Sequence, residues 1–540
     1  MSIQNTKSQI RLPLLLAVAI AAGIFIGANV VGDRSNSMDA RKSAFKFREI
    51  LNYIDDNYVD EVDQNELVDG AINSMLKELD PHTVYIPAEE KELSRSQLQG
   101  NFDGIGIEYN IFRDTIYVVS PLSGGPSEEA GLLTGDKIIE VDGENVAGIG
   151  IRNRGVLDRL RGERGSVVSL KILRKNVDDI LSFDITRDKI PQFSVDADYM
   201  IDDQTGYIKI NRFTATTYDE FKTSMDKLLE EGMQRLILDL TGNPGGYMDR
   251  AIRMADEFLE GSPMIVFTKG KEFRYNQEHR GGEEGVFEKQ PLIVLIDEGS
   301  ASASEIVSGA IQDNDRGLIV GRRSFGKGLV QMPIDLSDGS ELRLTISRYY
   351  TPSGRSIQKA YNGDVDDYYH DIYGRYESGE MYSADSVDVI DTLEFRTTKG
   401  RLVYGGGGII PDVYVPLDTA GNSKYLNRLF TSNSIREYAL QYSDSNKERL
   451  EKMGFDEYFR NFEVSQKMLN DLLAIANTNN IKFNQREYNH SKPLIKTYVK
   501  AQIARGIWNN NGFYPIWNQT SEIYREALNL FDKAEEIQAM

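Results

Sequence analysis

Apolar residues recur every three to four positions between residue 39 and about residue 95. Phe45, Ile50, Leu51, Ile54 and Tyr58 form one stripe; Leu67, Ala71, Ile72, Met75, Leu76 and Leu79 form another. That period predicts helices, and Asp80-Pro81 stops them. From Gly100 to about Arg187 the pattern changes to short β-type runs punctuated by glycine: Gly104-Ile-Gly-Ile-Glu-Tyr, Ile116-Tyr-Val-Val, Lys137-Ile-Ile-Glu-Val-Asp-Gly and Val167-Val-Ser-Leu-Lys-Ile-Leu. From Gly206 strands and helices alternate. Tyr207-Ile-Lys-Ile, Arg235-Leu-Ile-Leu-Asp-Leu and Pro291-Leu-Ile-Val-Leu-Ile read as strands, and Tyr218 to Glu231, Tyr247 to Leu259 and Ser302 to Gln312 as helices. Strands this apolar predict an α/β core with both sheet faces covered.

The remaining segments complete the plan. Leu12 to Val31 is a run of 20 residues without a charge, preceded by Lys7 and Arg11. Such a run can span a bilayer, with its basic flank in the cytoplasm and the rest of the chain outside. A cleaved signal peptide is the competing reading, and Ala28-Asn29-Val30 is a poor cleavage site for it. Residues 359 to 404 are polar and rich in Tyr, Asp and Gly, so they read as an insertion, partly disordered or a mobile flap. The expected divisions are 1–38 (anchor or signal), 39–96 (helical), 97–187 (small β-rich domain), 188–424 (α/β core with the insertion) and 425–540 (helical and charged).

Composition narrows the chemistry. The 540 residues carry 62 basic and 83 acidic side chains, a net charge of −21, which disfavours nucleic-acid binding. There is no cysteine, so thiol catalysis, zinc–cysteine sites and disulfides are excluded. The four histidines (82, 279, 370 and 490) show no ligand spacing, and no metal or organic cofactor is expected.

Three stretches of the α/β unit could carry chemistry. Asp239-Leu-Thr-Gly-Asn-Pro-Gly-Gly246 joins a strand to a helix. Its free N–H groups at a helix N-terminus could cradle an anion or a developing oxyanion; a tight turn that needs glycine only for its dihedral angles fits as well. Asp297-Glu-Gly-Ser-Ala-Ser-Ala-Ser-Glu305 also follows a strand and opens a helix. Small residues there would leave a nucleophilic hydroxyl exposed, although Ser302 with Glu305 also matches a capping box. In Ser324-Phe-Gly-Lys-Gly-Leu-Val-Gln331, glycines on both sides would let Lys327 turn inward. A basic lysine at neutral pH needs burial to lower its pKa by roughly 3 units. No histidine lies in a small-residue turn, so a Ser–Lys dyad is the nucleophile and base that the residue types permit.

Gly299-Ser-Ala-Ser-Ala-Ser-Glu-Ile followed by Phe325-Gly-Lys-Gly-Leu-Val-Gln resembles the carboxy-terminal processing proteases, the tail-specific Ser–Lys peptidases of the S41 type. Asn243-Pro-Gly-Gly, Tyr349-Tyr-Thr-Pro-Ser-Gly-Arg-Ser-Ile and Gly408-Ile-Ile-Pro-Asp also match, although residues 359–404 part the last two, which in the family lie close together. The match covers about 45 to 415. The resemblance implies a protease core of crotonase-like βαβ layout. It makes Ser302 the nucleophile, because Ser302, not Ser300 or Ser304, keeps the family spacing of 25 to Lys327. It makes Lys327 the general base, Gln331 the residue that orients it, and the N–H of Ala303 with Gly245 or Gly246 the oxyanion hole.

The β-rich stretch resembles a PDZ domain, through Gly104-Ile-Gly-Ile107 and Pro126-Ser-Glu-Glu-Ala-Gly-Leu-Leu-Thr-Gly-Asp-Lys-Ile-Ile-Glu-Val-Asp-Gly143. This implies strand addition of a peptide, its terminal carboxylate held by the loop of Gly104, Ile105, Gly106 and Ile107; a plain β-turn at 104–106 is the other reading. The helical segment 39–95 resembles the region through which some relatives dimerise, so a homodimer is one expected assembly, and packing within one chain fits equally well. The reading is a membrane-anchored serine endopeptidase on the periplasmic side that cleaves proteins with free C-terminal tails. A non-catalytic PDZ adaptor would need neither Lys327 nor Gln331. A crotonase-type acyl-CoA enzyme would have no use for an export segment.

Overall fold

The computed structural model describes residues 35–122, 124–175, 177–387 and 393–540. The apolar run Leu12–Val31 lies outside them; among the described residues no helix is long and apolar enough to cross a membrane. The described residues up to 76 and those from 77 to 540 form two separate units. In the first, Ser35–Asn57 and most of Gln64–Lys77 are helical, as the stripe predicts. Several of their apolar positions remain open, with Phe45, Ile50 and Met75 exposed by 59%, 49% and 61%, while Leu76 is buried.

The second unit is built on a six-stranded sheet of β1 (Val195–Met200), β2 (Thr205–Ile210), β3 (Arg235–Asp239), β4 (Leu292–Ile296), β5 (Leu318–Gly321) and β6 (Val413–Tyr414), adjacent in that order. All neighbours run parallel except the antiparallel pair β1–β2. Side chains alternate between faces. Ile208, Leu236, Leu238, Val294 and Ile319 pack under α1 (Thr217–Glu230), α2 (Met248–Asp256) and α3 (Ala303–Asp313). Tyr207, Ile237, Ile293, Leu295 and Val320 face the other way, onto Ile523, Tyr524 and Phe531 of the last two helices, Glu522–Leu528 and Phe531–Ala539. The C-terminal tail thus covers the sheet's second face, which explains why the strands are apolar throughout. The preceding helices, from Lys424–Thr431 to Gln485–Trp517, close a core of their own.

A second sheet lies beside the first. Glu341–Tyr350 pairs with Leu329–Asp335 on one edge and with Val84–Ile86 and Met264–Gly270 on the other. The β-rich domain has a separate sheet, in which Ile107–Phe112 is an edge strand beside Thr115–Pro121. Arg113 pairs with Glu437 at 2.7 Å and Arg505 with Glu108 at 2.9 Å, tying this domain to the C-terminal helices.

The stretch 359–404 departs from the expectation of a mobile flap. Its described part forms α4 (Val365–Glu377) and a hairpin of Glu394–Arg396 with Leu402–Tyr404. Tyr368 and Arg375 are each only 4% exposed. The segment reads as polar because its burial runs through hydrogen bonds to backbone carbonyls, which no hydropathy pattern records.

Candidate active site

β4 is fully buried, so the polar turn after it emerges at the carboxyl edge of the sheet, where open α/β sheets hold ligands. A Cβ on Gly299 would lie 2.9 Å from Gly242 Cα, so glycine lets this turn touch the turn after β3. Ser300 Oγ donates to Leu240 O at 2.8 Å and Ser304 Oγ to Asn243 O at 2.9 Å. Both serines are buried and hold the two turns together. Ser302, between them, is partly exposed at the N-terminus of α3, with φ 55° and ψ −111°. For a residue with a Cβ that conformation costs on the order of 1–3 kcal/mol and marks a constrained site.

One carboxylate joins this turn to the lysine loop. Glu305 Oε2 accepts the N–H of Ser302 at 2.7 Å and of Lys327 at 2.9 Å, and Oε1 accepts Gly326 N–H at 2.7 Å and Ser324 Oγ at 2.5 Å. Burial pushes its carboxyl up to about 7, against the pull of these four donors. Tyr349 repeats the link, its hydroxyl donating to Ser302 O at 3.0 Å and Lys327 O at 2.6 Å. The backbone around Lys327 is tightly packed: Gly326 has φ +90°, which favours glycine, and a Cβ on it would lie 3.2 Å from Ile357 O, while one on Gly328 would lie 3.0 Å from Gln358 N.

Burial lowers the Lys327 ammonium below its usual range; Glu305 and Asp80 oppose the shift and Arg343 adds to it. Asp80 belongs to the Asp80-Pro-His-Thr turn and accepts Thr345 Oγ1 at 3.2 Å, and Thr345 Oγ1 in turn accepts the Gln331 amide at 3.3 Å. Gln331 therefore sits in a network that ends on a carboxylate close enough to act on the lysine. His82 is driven down to about 3 by burial and the Lys327 charge, so it stays neutral at ordinary pH. Its Nε2 lies 3.0 Å from the Tyr368 hydroxyl.

The insertion grips the same loop. Arg375 donates to the carbonyls of Arg323 at 3.1 Å, Ser324 at 3.0 Å and Phe325 at 3.4 Å, and to Asp371 at 3.0 Å. Tyr368 packs edge-on against Phe325. The Gly408-Ile-Ile-Pro-Asp stretch returns beside the loop despite the insertion: Ile409 N–H donates to Ser324 Oγ at 2.7 Å and Gly408 N–H to Ile357 O at 2.8 Å.

Of the two glycines after β3, Gly245 donates its N–H to Asn243 Oδ1 at 2.9 Å. A Cβ on Gly245 would lie 2.7 Å from Ser302 Cβ. The N–H groups of Gly246 and Ala303 meet no acceptor among the described residues. In the β-rich domain, Ile105 O accepts Ser127 Oγ at 2.5 Å and Gly106 O accepts Leu122 N–H at 2.9 Å. Gly104 ends the strand Asn101–Gly104, Gly106 has φ +73°, and Ile107 opens the edge strand. Sequence reasoning missed Glu305 as a link, Tyr349, Asp80 and Arg375. Two of them carried a signal: Glu305 and Tyr349 stand inside the motifs already quoted.

Comparison with known proteins gives the family and the domains of the chain. The profile of peptidase family S41 matches residues 204–367, a PDZ domain profile 117–174, and the profile of the activating protease CtpB N-terminal domain 26–90. A family of unknown function matches 425–509. The carboxy-terminal-processing protease of Bartonella bacilliformis is 37% identical over 350 residues, 63% of this chain and 80% of that protein. The carboxy-terminal processing protease CtpB of Bacillus subtilis is 35% identical over 341 residues, covering 62% and 68%. Among solved structures, the photosystem II D1 C-terminal processing protease is 29% identical with a TM-score of 0.34, covering 58% of this chain and 83% of that one. The chain therefore belongs to the carboxy-terminal processing proteases of peptidase family S41, serine peptidases, and carries a PDZ domain.

Proposed function

We propose that this peptidase works through a Ser302–Lys327 dyad on exported proteins, which it selects by their free, unstructured C-terminal tails. The observation that carries the reading is the strained turn at Ser302, held to the Lys327 loop by one buried carboxylate. Neutral Lys327 takes the proton of Ser302 Oγ as it attacks the peptide carbonyl, then passes it to the leaving amine. Gln331 orients Lys327. The oxyanion rests on the N–H of Ala303 and of Gly246, since Gly245 is engaged with Asn243. Water then hydrolyses the acyl-enzyme.

The PDZ domain, about 97–187, takes the tail along its edge strand, with the carboxylate at the loop of Gly104, Ile105, Gly106 and Ile107. Residues 1–38 hold the enzyme in the cytoplasmic membrane with the protease on the periplasmic side, and the helical segment 39–96 pairs two copies through its exposed apolar stripe. Residues 188–424 cut, and the last two helices of 425–540 support the sheet.

The test is cleavage of an unfolded reporter with an apolar free C-terminus by the full chain, with Ser302→Ala and Lys327→Ala in parallel. Cleavage by the wild type alone supports the dyad; equal cleavage by either variant refutes it. An amidated tail that is cut as fast as a free one refutes tail recognition and leaves the dyad standing.

A further inference from the structure

Glu341–Tyr350 and Met264–Gly270 pair in antiparallel register, which sets Lys269 directly opposite Arg348. Like charges facing each other across a ladder destabilise it. This chain has 83 acidic residues to 62 basic, so a neighbouring carboxylate would be easy to supply. Yet among the described residues neither cation has an ion-pair partner, and Lys271, just beyond the strand, has none either. Instead Lys269 Nζ lies 5.3 Å from the ring centres of Phe267 and Tyr350, which stack on each other.

All three cations line one groove of about 660 Å³. Leu79, Leu329 and Ile346 give it an apolar lining. It follows the edge of Glu341–Tyr350 between the partners Val84–Ile86 and Met264–Gly270, where, among the described residues, no strand pairs with 344–346 on that side; Leu329–Asp335 lies on the other. Its one carboxylate, Asp80, is already occupied by the N–H groups of His82 and Thr83 and the hydroxyls of Thr83 and Thr345. The groove abuts the lysine loop: Leu329 stands two residues from Lys327, and the Gln358 side chain accepts Gly328 N–H at 2.8 Å.

We propose that this groove binds an acidic, partly apolar segment of the polypeptide substrate beside the bond to be cut, and so sets a preference for Asp or Glu near the cleavage site. The inference rests on the reading of Ser302 as the nucleophile of a peptidase. The cross-strand cations are tolerated because the substrate supplies their counter-charge.

The test uses the full chain and two unfolded reporters with the same free C-terminus, one carrying Asp and Glu around the cleavage site and the other Asn and Gln. Three exposed pairs give the acidic reporter about a tenfold advantage in kcat/KM at low salt. That advantage shrinks to within about twofold near 0.5 M salt, where the screening length falls to a few Å. Combined Lys269→Glu, Lys271→Glu and Arg348→Glu reverses the preference. Lys271→Glu alone, outside the ladder, lowers it about twofold and covers the case in which the triple variant fails to fold. Equal kcat/KM for the two reporters, with cleavage abolished by Ser302→Ala, overturns the groove proposal and leaves the peptidase reading intact. If neither reporter is cut, anisotropy of both peptides on the Ser302→Ala protein decides: tighter binding of the acidic peptide, lost in the triple variant, upholds the groove, and equal binding overturns it.

Discussion

Arg375 offers the sharpest perturbation of the lysine loop from outside it. Arg375→Ala removes a buried guanidinium that donates to the carbonyls of Arg323, Ser324 and Phe325 and to Asp371. Bonds to a charged group contribute about 1.5–3 kcal/mol each. The two short carbonyl bonds, at 3.0 and 3.1 Å, together give about 3–6 kcal/mol, less whatever water regains on entering. The loop keeps its links to Glu305 and Tyr349, so it loosens without detaching. A shift of about 1 Å at a reacting group costs about a hundredfold in rate, or roughly 2.7 kcal/mol, which the lost bonds can supply. The expected result is a fall in kcat of about 30- to 100-fold, with KM within about threefold. Arg375→Lys keeps the charge without the fork of donors and should lie between. The assay is steady-state cleavage of the tail reporter alongside thermal unfolding. A kcat within about twofold of wild type, with only Tm lowered, would mean that the insertion is a structural appendage and that the brace argument is wrong.

Three further outcomes follow from the same geometry. With Lys327 as the proposed base, its lowered pKa should make activity rise with pH as the lysine loses its proton. Between that lowered value and 10.5 the unfolded chain binds the extra proton, so stability also rises with pH there. Lys327→Met should therefore raise Tm near pH 7 and lose that advantage above pH 10.5; a Tm gain that is flat with pH refutes the assignment. Gly245→Ala sets a Cβ 2.7 Å from Ser302 Cβ at φ +96° and should reduce cleavage at least about a hundredfold, with circular dichroism showing a folded protein; near-normal turnover would contradict the close approach. Phe531→Ala opens the cluster on the second face of the sheet and should cost about 3–5 kcal/mol in urea unfolding, with cleavage per folded molecule unchanged.

Much of the core was legible because local signals agreed with the fold. The apolar run at 292–296 and the small residues after it gave strand, turn and helix nearly to the residue. The alternation from 205 to 256 did the same for β2, α1, β3 and α2. The second sheet was not legible. Val84–Ile86 is three residues long and exists because Glu341–Tyr350 offers it an edge, a contact more than 250 residues away in sequence. The Lys–Ser link was hidden for a similar reason: a capping box accounts for Glu305 locally, and nothing in the sequence says that its other oxygen reaches Ser324 and Gly326. Residues 359–404 misled because Tyr368 and Arg375 are buried against carbonyls and rings.

The central claim is that Ser302 forms an ester with the acyl part of the substrate while Lys327 takes its proton. The direct measurement is an acid quench of the full chain during turnover of an activated peptide ester, followed by peptide mapping by mass spectrometry. The account predicts an acyl adduct on Ser302 that disappears in Ser302→Ala and forms at least about a hundredfold more slowly in Lys327→Met. An adduct on another residue, or undiminished acylation of Ser302 in Lys327→Met, would contradict it.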